Sequence, residues 1–599
     1  MASTDPTYVG QVASVAGGVL RVRLRRDLPT TLVLVDGESY RVGQIGGFFR
    51  IPLGYTQLYS VCSQVGADAA PPTIKNEGLL EQDMGRDDGL AGFRWMTIVL
   101  FGESTGGRFE RGVGQYPTVG DEVHFVTSSD LAVIYGRDPS AGGLTVGNVA
   151  STSGIPATLE LDRLVSRHCA VVGSTGAGKS NLVSVILEGL TAPDMKSSRV
   201  LVIDPHGEYG SVAKSRSKVF RISPAEGEHG LVVPFWALPF NELLQTTFGD
   251  MSPANEASIR DMVQDLKRAA AVHLPVPPPQ EAITADTPLP FSIRRLWFEL
   301  DDFERSTYRT VAGQRVKAEL EKEGDAQALI SNVYPIHGPG SAEPFKNPKP
   351  RGIGKQLELA RSRLTDARYD FLFSPAGGYD PDLEGRITAD IDGLVSSWVG
   401  HDKPLTILDV SELPSEIATD VVGLLLRVVY DTLFWAGSQP VSGRAQPLLI
   451  VIDEAHRFLP EGGETSCQRI LTKVAKEGRK YGVGMMVVTQ RPSDIDSTIL
   501  SQCGTMIALR TTNPGDRGKV AAAFPDDLGG LVELLPSLRT GEGLFVGEAM
   551  FVPSRVRVRL TQATDGGTDP EVTTLWQRDR PNSDRYADAI VNWRRQVKG

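Results

Sequence analysis

Apolar and polar residues alternate in short runs along the first quarter of the chain, and then the pattern changes. VLRVRL (residues 19–24) puts an apolar side chain at every second position, and RWMTIVLF (94–101) reads as a more buried strand. Gly17-Gly18 and Asp36-Gly37 supply turn signals between such runs. Many short strands with glycine turns predict a small β-barrel over residues 1–150. From about residue 151 the runs become continuously apolar and are separated by helical stretches: 169–172, 200–203, 405–408, 448–452, 485–488 and 506–509. Uninterrupted apolar strands alternating with helices predict a parallel sheet covered on both faces, an α/β fold. Residues 236–400 read as mostly helical, with helical spacing over 254–273 and 355–373 and proline-rich joints at 275–279 and 335–350. The prediction is a core over residues 151–560 with a helical insertion at 236–400, followed by a polar tail over 561–599 whose one apolar run is IVNW (590–593).

At 599 residues the chain exceeds what one hydrophobic core organises, so two or more domains are expected. The four cysteines, Cys62, Cys169, Cys467 and Cys503, are far apart and form no C-x-x-C pair. That spacing predicts a reducing compartment, no structural disulfide and no zinc site. The opening MASTDPTYVG lacks the basic and apolar regions of a secretion signal. The longest apolar stretch, 421–435, is broken by Arg427 and Asp431 and is too short and too charged to span a bilayer. A cytoplasmic protein with no membrane contact is therefore expected. The net charge of −11 excludes a chain coated in positive charge for nucleic acid. It leaves room for a small internal basic surface, because local charge decides contact.

Residues 173–180, GSTGAGKS, match G-x-x-x-x-G-K-[ST] at every fixed position, with an apolar strand before them and a helix-forming run after. The glycines allow the backbone N–H groups to turn toward phosphate oxygens, and the helix N-terminus adds its dipole. The candidate nucleotide-binding residues are Gly173, Ser174, Thr175, Gly176, Ala177, Gly178, Lys179, Ser180 and Asn181. Lys179 is assigned to the β- and γ-phosphates, and the Ser180 hydroxyl to Mg²⁺. LLIVIDE (448–454) is a hydrophobic strand ending in two carboxylates. Beside a phosphate loop, Asp453 would hold Mg²⁺ through water and Glu454 would polarise the attacking water. Gln490, after the strand at 485–488, is a candidate γ-phosphate contact, although a surface glutamine would read the same way. Phosphoryl transfer also needs positive charge on the equatorial oxygens. Arg479, Arg167 and Arg510 are the candidates, with Arg479 equally explained as a favourable helix C-terminus. Asp453 follows Lys179 by 274 positions, a separation that fits an insertion inside one core.

Six segments in this order resemble the HerA family of ring ATPases: GSTGAGKSN, VIDPHGEY (202–209), ILDVSELP (407–414), VIDEAHRFLP (451–460), KEGRKYGVG (476–484) and TQRPSDID (489–496). The resemblance implies a RecA-like P-loop ATPase core related to FtsK, an N-terminal HAS barrel, a helical bundle beside the core, and a homo-hexamer around a double-stranded DNA channel. It implies ATP and Mg²⁺ as cofactors, Glu454 as the group that activates water, and Arg479, ahead of Arg167, as the arginine offered to a neighbour's nucleotide. Asp204 and residues 206–209 resemble the segment that links the family's site to the channel. The family further implies a separate effector, a nuclease or a sirtuin-like NADase, docked on the barrel and acting in DNA processing or anti-phage defence. No second nuclease-type carboxylate cluster is evident in the sequence. Two other readings stay open: an ATP-gated scaffold that assembles an effector without travelling along DNA, and a conjugation- or secretion-type coupling ATPase.

Overall fold

The computed structural model describes residues 5–563 apart from 26–27, 29–32, 36–37, 41, 69–93, 136–142, 151–154, 340–342, 464 and 525–527, and also positions 577, 587 and 590–591. The expected Asp36-Gly37 turn and nearly all of the polar tail lie outside these residues.

The β-rich start closes on itself. Tyr8–Ala16 turns back through Gly17-Gly18 into Val19–Leu24, with Ala16 opposite Val19. Gly17 takes φ 61°, the left-handed geometry that a two-residue hairpin loop requires. Strands Glu122–Phe125, Phe48–Leu53, Thr56–Ala67 and Arg94–Thr105 follow in spatial order, and Arg94–Thr105 pairs back onto Val19–Leu24. Closure leaves no open edge around the ring, and Arg108–Arg111 extends it on one side. The interior is apolar, with Val9, Leu20, Val22, Ile51, Leu58, Met96, Ile98 and Val123 all fully buried. This is the small barrel that the alternation predicts. It is joined to the rest of the chain: the Arg111 guanidinium donates to the carbonyls of Phe551 (2.8 Å), Glu548 (3.2 Å) and Gly547 (2.9 Å).

The α/β core is built on a sheet with 12 strands among the described residues. Strands Thr505–Leu509, Cys169–Val172, Val483–Thr489, Leu448–Ile452, Arg199–Asp204 and Leu405–Asp409 lie side by side in that order and run parallel. Every residue of Leu448–Ile452 and Cys169–Val172 is buried, as strands covered on both faces must be. Beyond Thr505–Leu509 the sheet turns antiparallel through Glu542–Gly547, Ser554–Val558, Gly143–Val149 and Pro156–Glu160. Gly143–Val149 thus pairs into the core sheet although it precedes residue 150.

The segment at 236–400 is helical over Phe240–Phe248, Pro253–Ala271, Ile293–Arg305, Gly354–Leu364 and Ile391–Val399. Two features differ from the expectation. A small three-stranded sheet, Thr307–Val311, Gln314–Lys317 and Phe345–Lys346, interrupts the helices. The helix expected over 355–373 stops at Leu364, where the Thr365 hydroxyl donates back to the Arg361 carbonyl (2.9 Å) and the Asp366 carboxylate accepts from the Arg368 N–H (3.0 Å). Local side-chain bonds of this kind compete with the helical ladder.

Lys267 anchors this segment. It is fully buried, and its ammonium donates to the carbonyls of Ala285 (2.7 Å), Thr287 (2.7 Å) and Trp236 (3.4 Å). Burial pushes its pKa down from 10.5 to about 7. An unfolded chain would then bind more protons than the folded one between about pH 7 and pH 10.5, so the lysine makes stability rise with pH across that window. We expect thermal melts from pH 7 to pH 10 to show this rise in the parent, and Lys267→Met to flatten it. The substitution should also cost about 1–3 kcal/mol by leaving the carbonyls without a donor.

Candidate nucleotide site

The strand order gathers several of the sequence motifs at one crevice. Thr489, at the end of Val483–Thr489, lies opposite Val172, the residue before the phosphate loop. Ile452 lies opposite Val487 on the other side of the same strand. The ends carrying the phosphate loop, Gln490 and the Asp453-Glu454 pair therefore open together at the carboxyl edge of the sheet, the usual place for a ligand in such folds.

The phosphate loop is held in shape by glycine geometry and by its neighbours. Gly176 and Gly178 take φ of 71° and 102°, in the left-handed region. A Cβ on Gly173 would fall 2.8 Å from the Leu509 Cβ, so only glycine lets the loop start there. The Ser174 N–H donates to the Arg510 carbonyl (2.9 Å), and the Gly541 N–H donates to the Ala177 carbonyl (2.9 Å). The N–H groups of Thr175, Gly176 and Gly178 have no protein acceptor among the described residues. The helix Lys179–Leu190 begins at once and adds the unpaired N–H groups of its first turn. The Lys179 ammonium donates weakly to the Ser174 carbonyl (3.3 Å), and the Ser180 hydroxyl has no partner among the described residues. The loop is thus a cradle of donors without an anion of its own. Asn181 is the exception: its side chain donates to the Arg559 carbonyl (2.8 Å) and accepts from the Thr561 N–H (2.9 Å). It ties the helix to residues 559–561, and only its backbone is left for a phosphate.

Opposite the cradle stands a cluster of carboxylates. Asp453 is 5% exposed, accepts from the Tyr209 hydroxyl (3.2 Å) and is capped by the Glu454 N–H (2.9 Å). Burial, and then the charges of Glu454, Asp204 and Glu208, push its pKa up to about 7. Burial lowers the Lys179 pKa, and the negative charges of Glu454, Asp453 and Glu208 work against that. A hard divalent cation fits this donor set: the Ser180 hydroxyl and the Asp453 carboxylate are oxygen ligands, and crowded carboxylates are relieved by positive charge. Asp204 plays a different part. Its buried carboxylate accepts from the N–H groups of Gly207 (2.8 Å), Tyr209 (2.9 Å) and His206 (3.2 Å), and so it shapes the loop that presents Glu208 and Tyr209.

Glu454 sits at φ 44°, ψ 45°, a left-handed conformation costing a non-glycine residue roughly 1–2 kcal/mol. Burial would raise its pKa, but the His456 ring, Lys179 and His206 together hold the carboxyl below the ordinary glutamate value. It is therefore a buried, ionised carboxylate beside the phosphate loop. Gln490 reaches the loop directly, its side-chain oxygen accepting from the Thr175 hydroxyl at 2.6 Å.

The arginines are distributed differently. Arg510 lies at the carboxyl edge, beside its own phosphate loop. Arg479 and Arg167 lie at the amino edge: Arg479 in the turn Gly478–Tyr481 before Val483–Thr489, and Arg167 just before Cys169–Val172. A strand of 7 residues separates Arg479 from the crevice, roughly 20 Å at 3.3 Å per residue. Arg167 is paired with Glu548 (3.4 Å), whereas the Arg479 side chain is exposed and unpaired among the described residues. Three side chains that sequence reasoning did not place at the site also line it: Tyr209, His456 and Thr489. All three lay inside segments already singled out, but a motif does not say which of its members turns inward.

Two family descriptions match this chain: "Helicase HerA, central domain" over residues 144–429 and "Helicase HerA-like C-terminal" over 426–562. A DNA double-strand break repair helicase HerA of Pyrococcus furiosus is 25% identical over 508 residues, spanning 79% of this chain and 80% of that protein. A probable DNA double-strand break repair helicase HerA of Methanocaldococcus jannaschii is 28% identical, spanning 72% of this chain and 80% of its own. Among solved structures, VirB4 of Thermoanaerobacter pseudethanolicus superposes with a TM-score of 0.45 at 16% identity, covering 71% of this chain and 98% of that one. The plasmid coupling protein TrwB in complex with the ATP analogue ADPNP superposes with a TM-score of 0.43 at 13% identity, covering 74% and 95%.

Proposed function

This chain belongs to the HerA helicase family, and from that premise we propose that it works as a ring-shaped motor on double-stranded DNA, with each ATP held between two copies. It is a DNA-translocating ATPase, and ATP and Mg²⁺ are its cofactors. The observation that carries the shared site is the placement of Arg479. It is exposed, unpaired among the described residues and at the wrong end of the sheet to reach its own crevice. A second copy stacked head to tail would bring its phosphate loop to that edge, and such a heterologous contact closes into a ring, here a homo-hexamer. Trp435, 80% exposed, flanks the same edge: Phe434 beside it packs on Tyr481 at 4.7 Å between ring centroids. A large exposed aromatic next to an unpaired arginine suits a protein interface.

In this reading Gly173 to Ser180 hold the phosphates, and Ser180 and Asp453 hold the metal ion, which supplies charge neutralisation when bound. Glu454 takes the proton of the attacking water, Gln490 leaves Thr175 to meet the γ-phosphate, and Arg479 enters from the neighbour, with Arg167 second to it. The barrel is the docking platform for a separate effector, a nuclease or an NADase, in DNA processing or phage defence. The division into an N-terminal barrel, an ATPase core with an insertion at 236–400 and a tail over 561–599 is part of this proposal, with Gly143–Val149 assigned to the core sheet and not to the barrel.

The test is DNA-stimulated ATP hydrolysis together with displacement of a protein block from duplex DNA. We expect the parent to do both and Lys179→Ala to lose nucleotide binding and both activities. ATP hydrolysis that responds to DNA without any displacement of the block would favour the scaffold reading instead.

A further inference from the structure

The left-handed turn at Glu454 brings together two side chains that a regular helical turn would hold apart. Glu454 and His456 are two residues apart in sequence and do not face each other in a regular helix. Here the Glu454 carboxylate Oε2 and the His456 Nδ1 are 3.2 Å apart, with side-chain exposures of only 11% and 17%. The contact lacks the alignment of a full hydrogen bond, and Oε2 has no other partner among the described residues. The same Nδ1 lies 3.3 Å from the Thr489 hydroxyl.

We propose that His456 is a positioning residue for the Glu454 carboxylate, and that Thr489 competes with Glu454 for the same ring nitrogen. The inference rests on Glu454 being the base.

The chemistry of one nitrogen makes the two contacts exclusive. If Nδ1 carries its hydrogen, it can give that hydrogen to the carboxylate. If it is bare, it can only accept, and then the hydroxyl is its partner. The Thr489 hydroxyl oxygen already accepts from the Arg491 N–H (3.0 Å), which leaves its own O–H free to donate. Thr489 can therefore donate to the bare nitrogen, whereas Glu454 can meet only the protonated one. At 3.2 and 3.3 Å, both partners are within reach of the same ring nitrogen.

The competition is wired to the phosphate loop. Thr489 is followed directly by Gln490, whose side chain accepts from the Thr175 hydroxyl (2.6 Å). When Gln490 exchanges Thr175 for a ligand atom, the change falls next to Thr489 on the same strand end and can shift it. An adjustment that draws Thr489 away leaves His456 to Glu454 alone. The carboxylate is then aimed for proton removal only when the loop is occupied. Such a device keeps the buried carboxylate from an idle orientation.

The experiment uses the full-length chain with DNA and measures kcat, KM for ATP and binding of a non-hydrolysable ATP analogue. His456→Ala should lower kcat about 10- to 100-fold, the usual loss when the partner of a functional group is removed. KM and analogue binding should stay within about twofold, because the phosphate contacts are untouched. His456→Asn should recover most of the rate, since its amide nitrogen stands close to the position of Nδ1. In a Glu454→Gln background, His456→Ala should change nothing further, as expected for residues acting as one unit. If Glu454→Gln alone hydrolyses ATP normally, the base assignment fails and this inference with it. If Glu454→Gln is inactive but His456→Ala keeps kcat within twofold, the inference alone is overturned. It is also overturned if the alanine variant loses analogue binding in parallel with kcat, or if asparagine performs no better than alanine, since both results mark a packing role.

Discussion

Glu454→Gln is expected to bind ATP as tightly as the parent and to turn it over about 10² to 10⁴ times more slowly, the contribution typical of a positioned general base. Glutamine keeps the shape of the side chain and its left-handed turn but cannot take a proton. The site gives the reason for so large an effect. Glu454 is nearly buried yet stays ionised, because His456, Lys179 and His206 offset the burial that would otherwise raise its pKa. Asp453, one residue earlier and more deeply buried, is pushed the other way, up to about 7. Two adjacent carboxylates with opposed shifts suit two roles: a charged base, and a ligand that gains its charge when a cation arrives. Single-turnover hydrolysis alongside equilibrium binding of an ATP analogue separates these roles. Normal hydrolysis by the variant would remove Glu454 as the base, whereas lost binding would place it among the nucleotide contacts.

The second large effect concerns Arg479. An arginine supplied to a phosphoryl-transfer site is worth about 10³ to 10⁵ in rate in well-studied GTPases, so Arg479→Ala should assemble, bind ATP and stall. The mixing result is more telling than the rate. Arg479→Ala subunits keep an intact phosphate loop, and Lys179→Ala subunits keep an intact arginine. Each is inactive alone. In a head-to-tail ring formed from equal parts of both, about a quarter of the interfaces would pair a sound loop with a sound arginine, and activity should return in proportion. Rescue at no mixing ratio would mean that the arginine does not act across a boundary. The same experiment with Arg167→Ala ranks the two candidates. Arg167 already has Glu548 as a partner at 3.4 Å, so its removal is expected to cost less.

Much of the site was legible from local sequence. The phosphate loop could be read because its physics is local: glycines that permit positive φ, a lysine and a hydroxyl at fixed spacing, and a helix that starts at once. The strand ends at 452 and 489 were readable because buried parallel strands must be apolar throughout, so the first polar residue marks where each strand leaves the core. For Asn181 the motif supplies the position but not which of its atoms are free, because a motif position reports spacing and not engagement. Its side chain is occupied by Arg559 and Thr561, which are 378 and 380 residues away. The break at Thr365 and Asp366 was hidden because helical periodicity of apolar residues continues through it, while the polar residues that end the helix are ordinary on a helix surface. The small sheet at 307–346 was hidden because its strands are largely exposed and so carry no hydrophobic alternation.

Sequence alone determined which groups are available: a donor-lined loop, a carboxylate pair after an apolar strand, candidate arginines near the strand ends, and a chain too acidic to be a general nucleic-acid coat. The tertiary structure decided who meets whom. It inserted the Thr489–Gln490 strand between the phosphate-loop strand and the Asp453 strand, turned Glu454 back onto His456, and sent Arg479 to the far edge of the sheet. The physical reason is the range of the forces involved. Turn chemistry, helix starts and burial patterns act over a few residues and leave their mark in local sequence. Strand order is chosen by how a dozen apolar strands and their helices can all be covered at once, a global packing condition that no single segment records.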